Sequence, residues 1–276
     1  MTEDDVFPAL DLTNETFADL ERRLGEEVQP FPDPAMASIR FRDLVRRDPG
    51  GSWVAEDEQG LAGCALALRR EDVWGLSLLV VRPGLQSGGV GSELLRRAYD
   101  YGADARGKII LSSPDARAMR AYHRLGLDLH PAVLAKGEPR DVTAPADVRL
   151  GTPEDLPFTA EVDRHVRHGA HGDDILTQLE MGQTLLIAPG RGYAVHGNGS
   201  LRMLAAFEPD GARELLRAVF AAATGTVVVN FITAAQQWAL DVCMEAKVDL
   251  QTGTGVVFLG GDVGPFSPYI PSGAFL

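Results

Sequence analysis

The stretch PGLQSGGVGSELLRRA, residues 83 to 98, constrains this chain most. It places Gly84, Gly88, Gly89 and Gly91 directly between the apolar run LSLLVV (76–81) and a segment with helical periodicity. At such a junction successive backbone N–H groups point outward and the positive end of the helix dipole adds to them, so a diphosphate can lie on the loop. Glycine suits the position because a Cβ would block close approach. A tight strand-to-helix connection that binds nothing is the plain alternative. A dinucleotide site would require G-x-G-x-x-G inside a βαβ unit, and a P-loop would require G-K-[ST]; the loop has neither.

At 276 residues the chain is long enough for two domains. Its 45% hydrophobic and 24% charged content is that of a globular protein. No apolar run approaches the roughly 20 residues of a membrane span. The acidic start MTEDDVFPAL lacks the pattern of a signal peptide, so a cytoplasmic location is the default expectation. A formal charge of −13 disfavours nucleic acid and anionic membranes and favours a cationic or neutral partner. Cys64 and Cys243 each sit in an apolar segment, which suggests buried reduced thiols.

Two helices are expected first, 14–27 capped by Asn14 and 33–48 capped by Asp33 with Pro34 in its first turn. Strands over 52–57, 61–70 and 73–82 read as an antiparallel meander. After the glycine loop come a helix to about Gly102, a strand 108–113, a helix 114–126 and an apolar segment 127–135. Residues 136–147 are polar and proline-containing and read as a linker. The pattern then restarts: strand 148–150, helix from Thr152, helix 173–181, strands 184–188, 191–197 and 201–207, helix 210–223, strand 226–232, helix 233–247, strand 255–260. Two copies of one fold, 1–138 and 146–276, are the simplest account.

Residues 50–136 resemble the GNAT superfamily of acyl-CoA-dependent N-acetyltransferases. The resemblance rests on LSLLVVRP followed by Q-x-x-G-x-G (Gln86, Gly89, Gly91), and on DARAMRAYHRLGL matching the next motif, N-x-x-A-x-x-x-Y-x-x-x-G-F. The whole chain resembles tandem-GNAT proteins of actinobacteria, with a first repeat that keeps the cofactor motif and a degenerate second one. The implied fold is an α/β (mixed α+β) pair of tandem GNAT-like domains, each a mostly antiparallel mixed sheet flanked by helices.

The resemblance implies acetyl-CoA as acyl donor and a small-molecule or peptide amine as acceptor, cationic by the charge argument, with no metal. It implies that the backbone of Leu79, Val80 and Val81 holds the pantetheine arm. Gln86, Ser87, Gly88, Gly89, Val90, Gly91 and Ser92 would hold the pyrophosphate, and Tyr122 would protonate the departing thiolate. A phenol with its ordinary pKa near 10 carries the proton this step needs. A packed Tyr122 with its hydroxyl bonded to backbone is the structural alternative.

Three departures stand out. Asp115 replaces the family's Asn at the cofactor, Leu127 replaces Phe, and VWGLSLL lacks the glutamate base that many members carry, leaving Glu71 and Asp72 as the nearest acids. A non-catalytic acyl-CoA-binding or regulatory module is therefore the rival reading, and self-association stays open. In the second half the corresponding junction reads AAFEPDGAREL (205–215), whose acids oppose a diphosphate, so no cofactor is expected there. His165, His168 and His171 are spaced by three, which drifts around a helix, so a solvated or acceptor-facing helix end is expected instead of a metal site. The apolar stretch 264–276 is expected to pack back.

Overall fold

The computed structural model describes residues 1–276. Contacts divide the chain into two units, Met1–Arg69 with Trp74–Ala105, and Arg70–Val73 with Arg106–Leu276.

The first unit opens with helices α1 (Val6–Leu24) and α2 (Pro34–Arg47). The expected Asn14 cap is corrected: α1 begins eight residues earlier and Asn14 lies in its interior. A Thr2–Asp5 capping box starts the preceding turn, with the Thr2 amide donating to Asp5 at 2.6 Å. Pro8 falls in the first turn, where its missing N–H has no helical partner to lose. Gly25, with φ of 75°, closes the helix. Asp33 caps α2 by accepting the Ala35 amide at 2.8 Å.

Strands β1 (Ser52–Asp57), β2 (Gly60–Arg70) and β3 (Val73–Val81) follow, with β1 antiparallel to β2 and β2 in the middle. Helix α3 (Val90–Asp100) follows the glycine loop. Val6, Leu10, Phe41 and Leu44 pack on Cys64, Leu66, Leu68, Leu78 and Val80 to form one core. Behind α3, Trp74 is fully buried and donates its indole N–H to the Ala98 carbonyl at 2.9 Å. Gly102 has to be glycine there, since a Cβ would sit 2.0 Å from the Trp74 ring.

In the second unit, β4 (Gly107–Ser112), α4 (Ala116–Arg124) and β5 (Asp128–Gly137) come first, then β6 (Arg149–Leu150), α5 (Leu156–Arg167) and α6 (Asp173–Glu180). The chain continues through β7 (Thr184–Ala188), β8 (Gly192–Gly197), β9 (Ser200–Ala206), α7 (Pro209–Ala221), β10 (Val227–Ile232), α8 (Gln237–Glu245), β11 (Asp249–Gly261) and β12 (Tyr269–Ile270). One sheet runs β12-β9-β8-β7-β6.

The other strands stand in the order β4-β11-β5-β10, all antiparallel, so strands from before and after the 136–147 break alternate. The segments β4-α4-β5 and β10-α8-β11 are equivalent in order, and each inserts a strand into the other's pair. Strand β11 is longer than the expected 255–260. Its polar start, Asp249–Thr252, pairs with Val133–Lys136, and that long-range pairing supplies what local alternation does not.

Candidate active site

The glycine loop leaves a helix start open. Gly89 is the N-cap of α3 in the left-handed region (φ 97°), and no side chain caps the helix. Ser87 also has positive φ, at 70°. Within the loop the Leu85 amide bonds the Arg82 carbonyl and the Gly88 amide bonds the Leu85 carbonyl, while Glu93 returns to Gly89 at 3.1 Å. The amides of Ser87, Gly89, Val90, Gly91 and Ser92 donate to no acceptor. Such groups seek an anion, because each unmet donor carries a desolvation cost once covered. A Cβ at Gly91 would press to 3.2 Å on Val81. The one nearby acid, Glu93, is bound by Arg96 and Arg97, which hold its carboxyl down to about 2.

Leu79, Val80 and Val81 form the end of β3, with Val80 buried and its two neighbours half-buried. The Val81 carbonyl already accepts Gln86 Nε2 at 3.2 Å, so Gln86 ties the loop to the strand through its side chain. The Thr16 hydroxyl donates to the same carbonyl at 3.5 Å, so that oxygen already accepts two bonds.

Tyr122 lies on α4, buried, its ring edge-on to Phe258 of β11 at 5.6 Å between centroids. Its hydroxyl forms no hydrogen bond within the protein. Burial, and secondarily the Asp115 charge, push its pKa well above 10, so the proton stays on through neutral pH. Asp115 is the N-cap of α4: it accepts the Arg117 amide at 2.8 Å and pairs with the Arg117 guanidinium at 2.7 Å, which offsets its charge.

Of the acids nearest the start of β3, Glu71 is committed to an arginine. Glu71 chelates Arg164, with Arg164 Nη2 at 2.6 Å, and that bond holds its carboxyl below the usual range. Such a carboxylate is a weak base. The carbonyl of Asp72 accepts the Gly107 amide at 3.0 Å.

The histidine run separates. His165 packs edge-on to Phe207, His168 Nδ1 lies 2.9 Å from Asp262, and His171 is fully buried. The expectation of a solvated helix end is therefore corrected at His171, which turns inward after the left-handed His168 breaks α5. Its Nδ1 faces Asp163 at 3.0 Å and its Nε2 lies 2.7 Å from the Leu276 oxygen. Tyr193 donates to Asp163 and Tyr269 to the Leu276 oxygen, so the apolar tail is fastened by a buried polar network. Both cysteines are buried and free.

Two features escape a reading of motifs. One is the buried bidentate pair of Arg70 with Asp174, both bonds 2.7 Å. The other is Arg40 on α2, whose Nη2 donates to the Ser77 carbonyl at 2.8 Å and to the Ser77 hydroxyl. Its signal was a cation four residues before the buried Leu44, on the inward stripe of α2.

At the equivalent junction of the second half, Glu208 caps α7 by accepting the Gly211 amide at 3.0 Å and is held by Arg191 at 3.2 Å. Pro209 there has no N–H to offer.

Residues 13–127 match the family described as the acetyltransferase (GNAT) family. No curated protein matches the chain. Among solved structures, the chain is similar to a provisionally assigned acetyltransferase of Pyrococcus horikoshii, at 16% identity and a TM-score of 0.79, covering 99% of this chain and 93% of the other. A GCN5-related N-acetyltransferase of Sphaerobacter thermophilus aligns at 14% identity over 96% and 95% of the two chains, with a TM-score of 0.57. A tandem GNAT protein from the clavulanic acid biosynthesis pathway aligns at 13% identity over 96% and 98%, with a TM-score of 0.54. The fold of this chain is thus that of tandem GNAT proteins.

Proposed function

With residues 13–127 a domain of the GNAT acetyltransferase family, we propose that the chain transfers an acetyl group from acetyl-CoA to a primary amine. The observation that carries this reading is the uncapped start of α3, with five amides that donate to nothing. Those of Ser87 and Gly89–Ser92 hold the pyrophosphate, and the main chain of Leu79–Val81 lines the pantetheine arm. Acetyl-CoA supplies an acyl thioester. The acceptor nitrogen forms the amide bond to the acyl carbon as the carbon–sulfur bond breaks, and Tyr122 gives its proton to the leaving sulfur. Its free hydroxyl and raised pKa suit a proton donor, not a base. The amine proton leaves through water, since Glu71 is bound by Arg164.

We assign the cofactor to the repeat 1–138 and none to 146–276, on the ground that Glu208 and Pro209 occupy the corresponding amide positions. A small-molecule or peptide amine is the acceptor, drawn in by the formal charge of −13.

Calorimetry with acetyl-CoA, followed by thiol release across an amine panel, tests the reading. One site per chain and amine-dependent release support it. Binding without release from any amine favours the rival acyl-CoA-binding module, and no binding removes both.

A further inference from the structure

Arg40 is a half-buried cation of the first unit without a counter-charge. Its Nε is sealed from solvent and has no hydrogen-bond partner, and its Nη2 is spent on Ser77. No carboxylate pairs with it. The group that acts on it electrostatically is the Cys64 thiol, itself pushed by burial to about 12 and hence neutral. Burial lowers the Arg40 pKa to about 10, which leaves it charged at neutral pH. Buried guanidinium groups are almost always paired, since an unpaired one forfeits hydration for nothing. The planar guanidinium of arginine presents several donors and can meet a carboxylate with those that Ser77 leaves free.

The anchor gives Arg40 an address. Ser77 is on β3, two residues before Leu79, and so about 6 to 7 Å along the strand. Under the proposed function, on which this step rests, the pyrophosphate lies at the loop after β3 and the arm runs back along Val81, Val80 and Leu79. Ser77 therefore stands beyond the arm, towards the acyl end. We propose that Arg40, fixed by Ser77, is a specificity residue that binds an anionic group of the acceptor, so that the acceptor is an amine that also bears a carboxylate. A diamino acid or a basic peptide meets both this local cation and the chain's overall charge of −13.

The test uses pairs that differ only in the carboxylate: L-lysine and cadaverine, L-ornithine and putrescine, L-phenylalanine and phenethylamine. Binding of each, and of acetyl-CoA, is measured by calorimetry, and thiol release gives kcat/KM. The wild-type protein is expected to favour the acid member of a pair by about tenfold to hundredfold. Arg40→Gln should erase that preference with acetyl-CoA affinity unchanged, and Arg40→Lys should keep part of it. Preference for the decarboxylated members, no preference, or a preference that survives Arg40→Gln overturns the proposal. So does the failure of every acid member to bind. If acetyl-CoA does not bind but an acid member binds in an Arg40-dependent way, the anion site stands and the acetyl-transfer reading falls. Melting curves of both variants show that each is folded.

Discussion

The Glu208 carboxylate accepts the Gly211 amide at 3.0 Å, a side-chain cap of a kind that the start of α3 lacks. Both junctions join a strand to a helix start, and they differ in whether the helix is capped by its own side chain. Arg191 holds Glu208 in place, so the second junction is closed by an ion pair as well as a cap.

Removing that cap should not create a second site. Glu208→Ala is expected to cost about 0.5 to 2 kcal/mol of stability, the usual loss for an N-cap. Acetyl-CoA stoichiometry in calorimetry should remain one per chain, because Pro209 still offers no amide. Two sites per chain would refute the assignment.

Tyr122→Phe keeps the ring that packs on Phe258 and removes only the hydroxyl. The turnover number should fall by about 100-fold or more, in the range of general-acid losses, with acetyl-CoA affinity within about twofold of wild type. Equal loss of affinity and rate would make Tyr122 a packing residue.

Gly102→Ala drives a methyl to within 2.0 Å of the buried Trp74 ring. Trp74 has to move and its bond to the Ala98 carbonyl is strained, so urea unfolding should show a loss of about 1 to 3 kcal/mol. An unchanged midpoint would mean that the tryptophan has room the structure does not show.

Asp174→Ala strands the buried Arg70 guanidinium, and unfolding free energy should drop by about 3 to 5 kcal/mol. The double variant Arg70→Met with Asp174→Leu should recover much of that loss, since removing both partners leaves no orphan charge. A double variant as weak as the single one would show that the pair does more than balance charge.

Stability should also fall in acid. Burial would raise the Asp163 pKa, but the opposing charge and hydrogen bond of His171 outweigh it and hold it below the ordinary value. A depressed carboxylate contributes its stabilisation above the unfolded pKa near 3.9 and loses it as pH drops through the lower folded value. Unfolding free energy should therefore decline below about pH 4, and less steeply in Asp163→Asn. An identical acid slope in the variant would assign the decline to other groups.

Legibility tracked how local each determinant was. The glycine loop, the Asp33 cap and the short strands β1 and β7 are written in neighbouring residues, and the structure places them within a residue or two. The start of α1 is not legible in its neighbours, because the Thr2–Asp5 box acts through a preceding turn while Asn14 has a side chain of capping type in the helix interior. The length of β11 and its seat between β4 and β5 depend on partners more than 100 residues away, which no window contains. His171 was invisible for the same reason: its spacing from His168 says nothing of Asp163 and Leu276 meeting it in the interior. Arg40 could have been found, as a charge on the inward stripe of a helix.

The most direct measurement is an amide spectrum of the full chain titrated with acetyl-CoA, with the resonances of residues 86–92 and 208–213 assigned. Saturable shifts are expected at Ser87 and Gly89–Ser92, with still resonances around Gly211. Shifts at Gly211 with a silent glycine loop, or no shifts at saturating coenzyme, would contradict it.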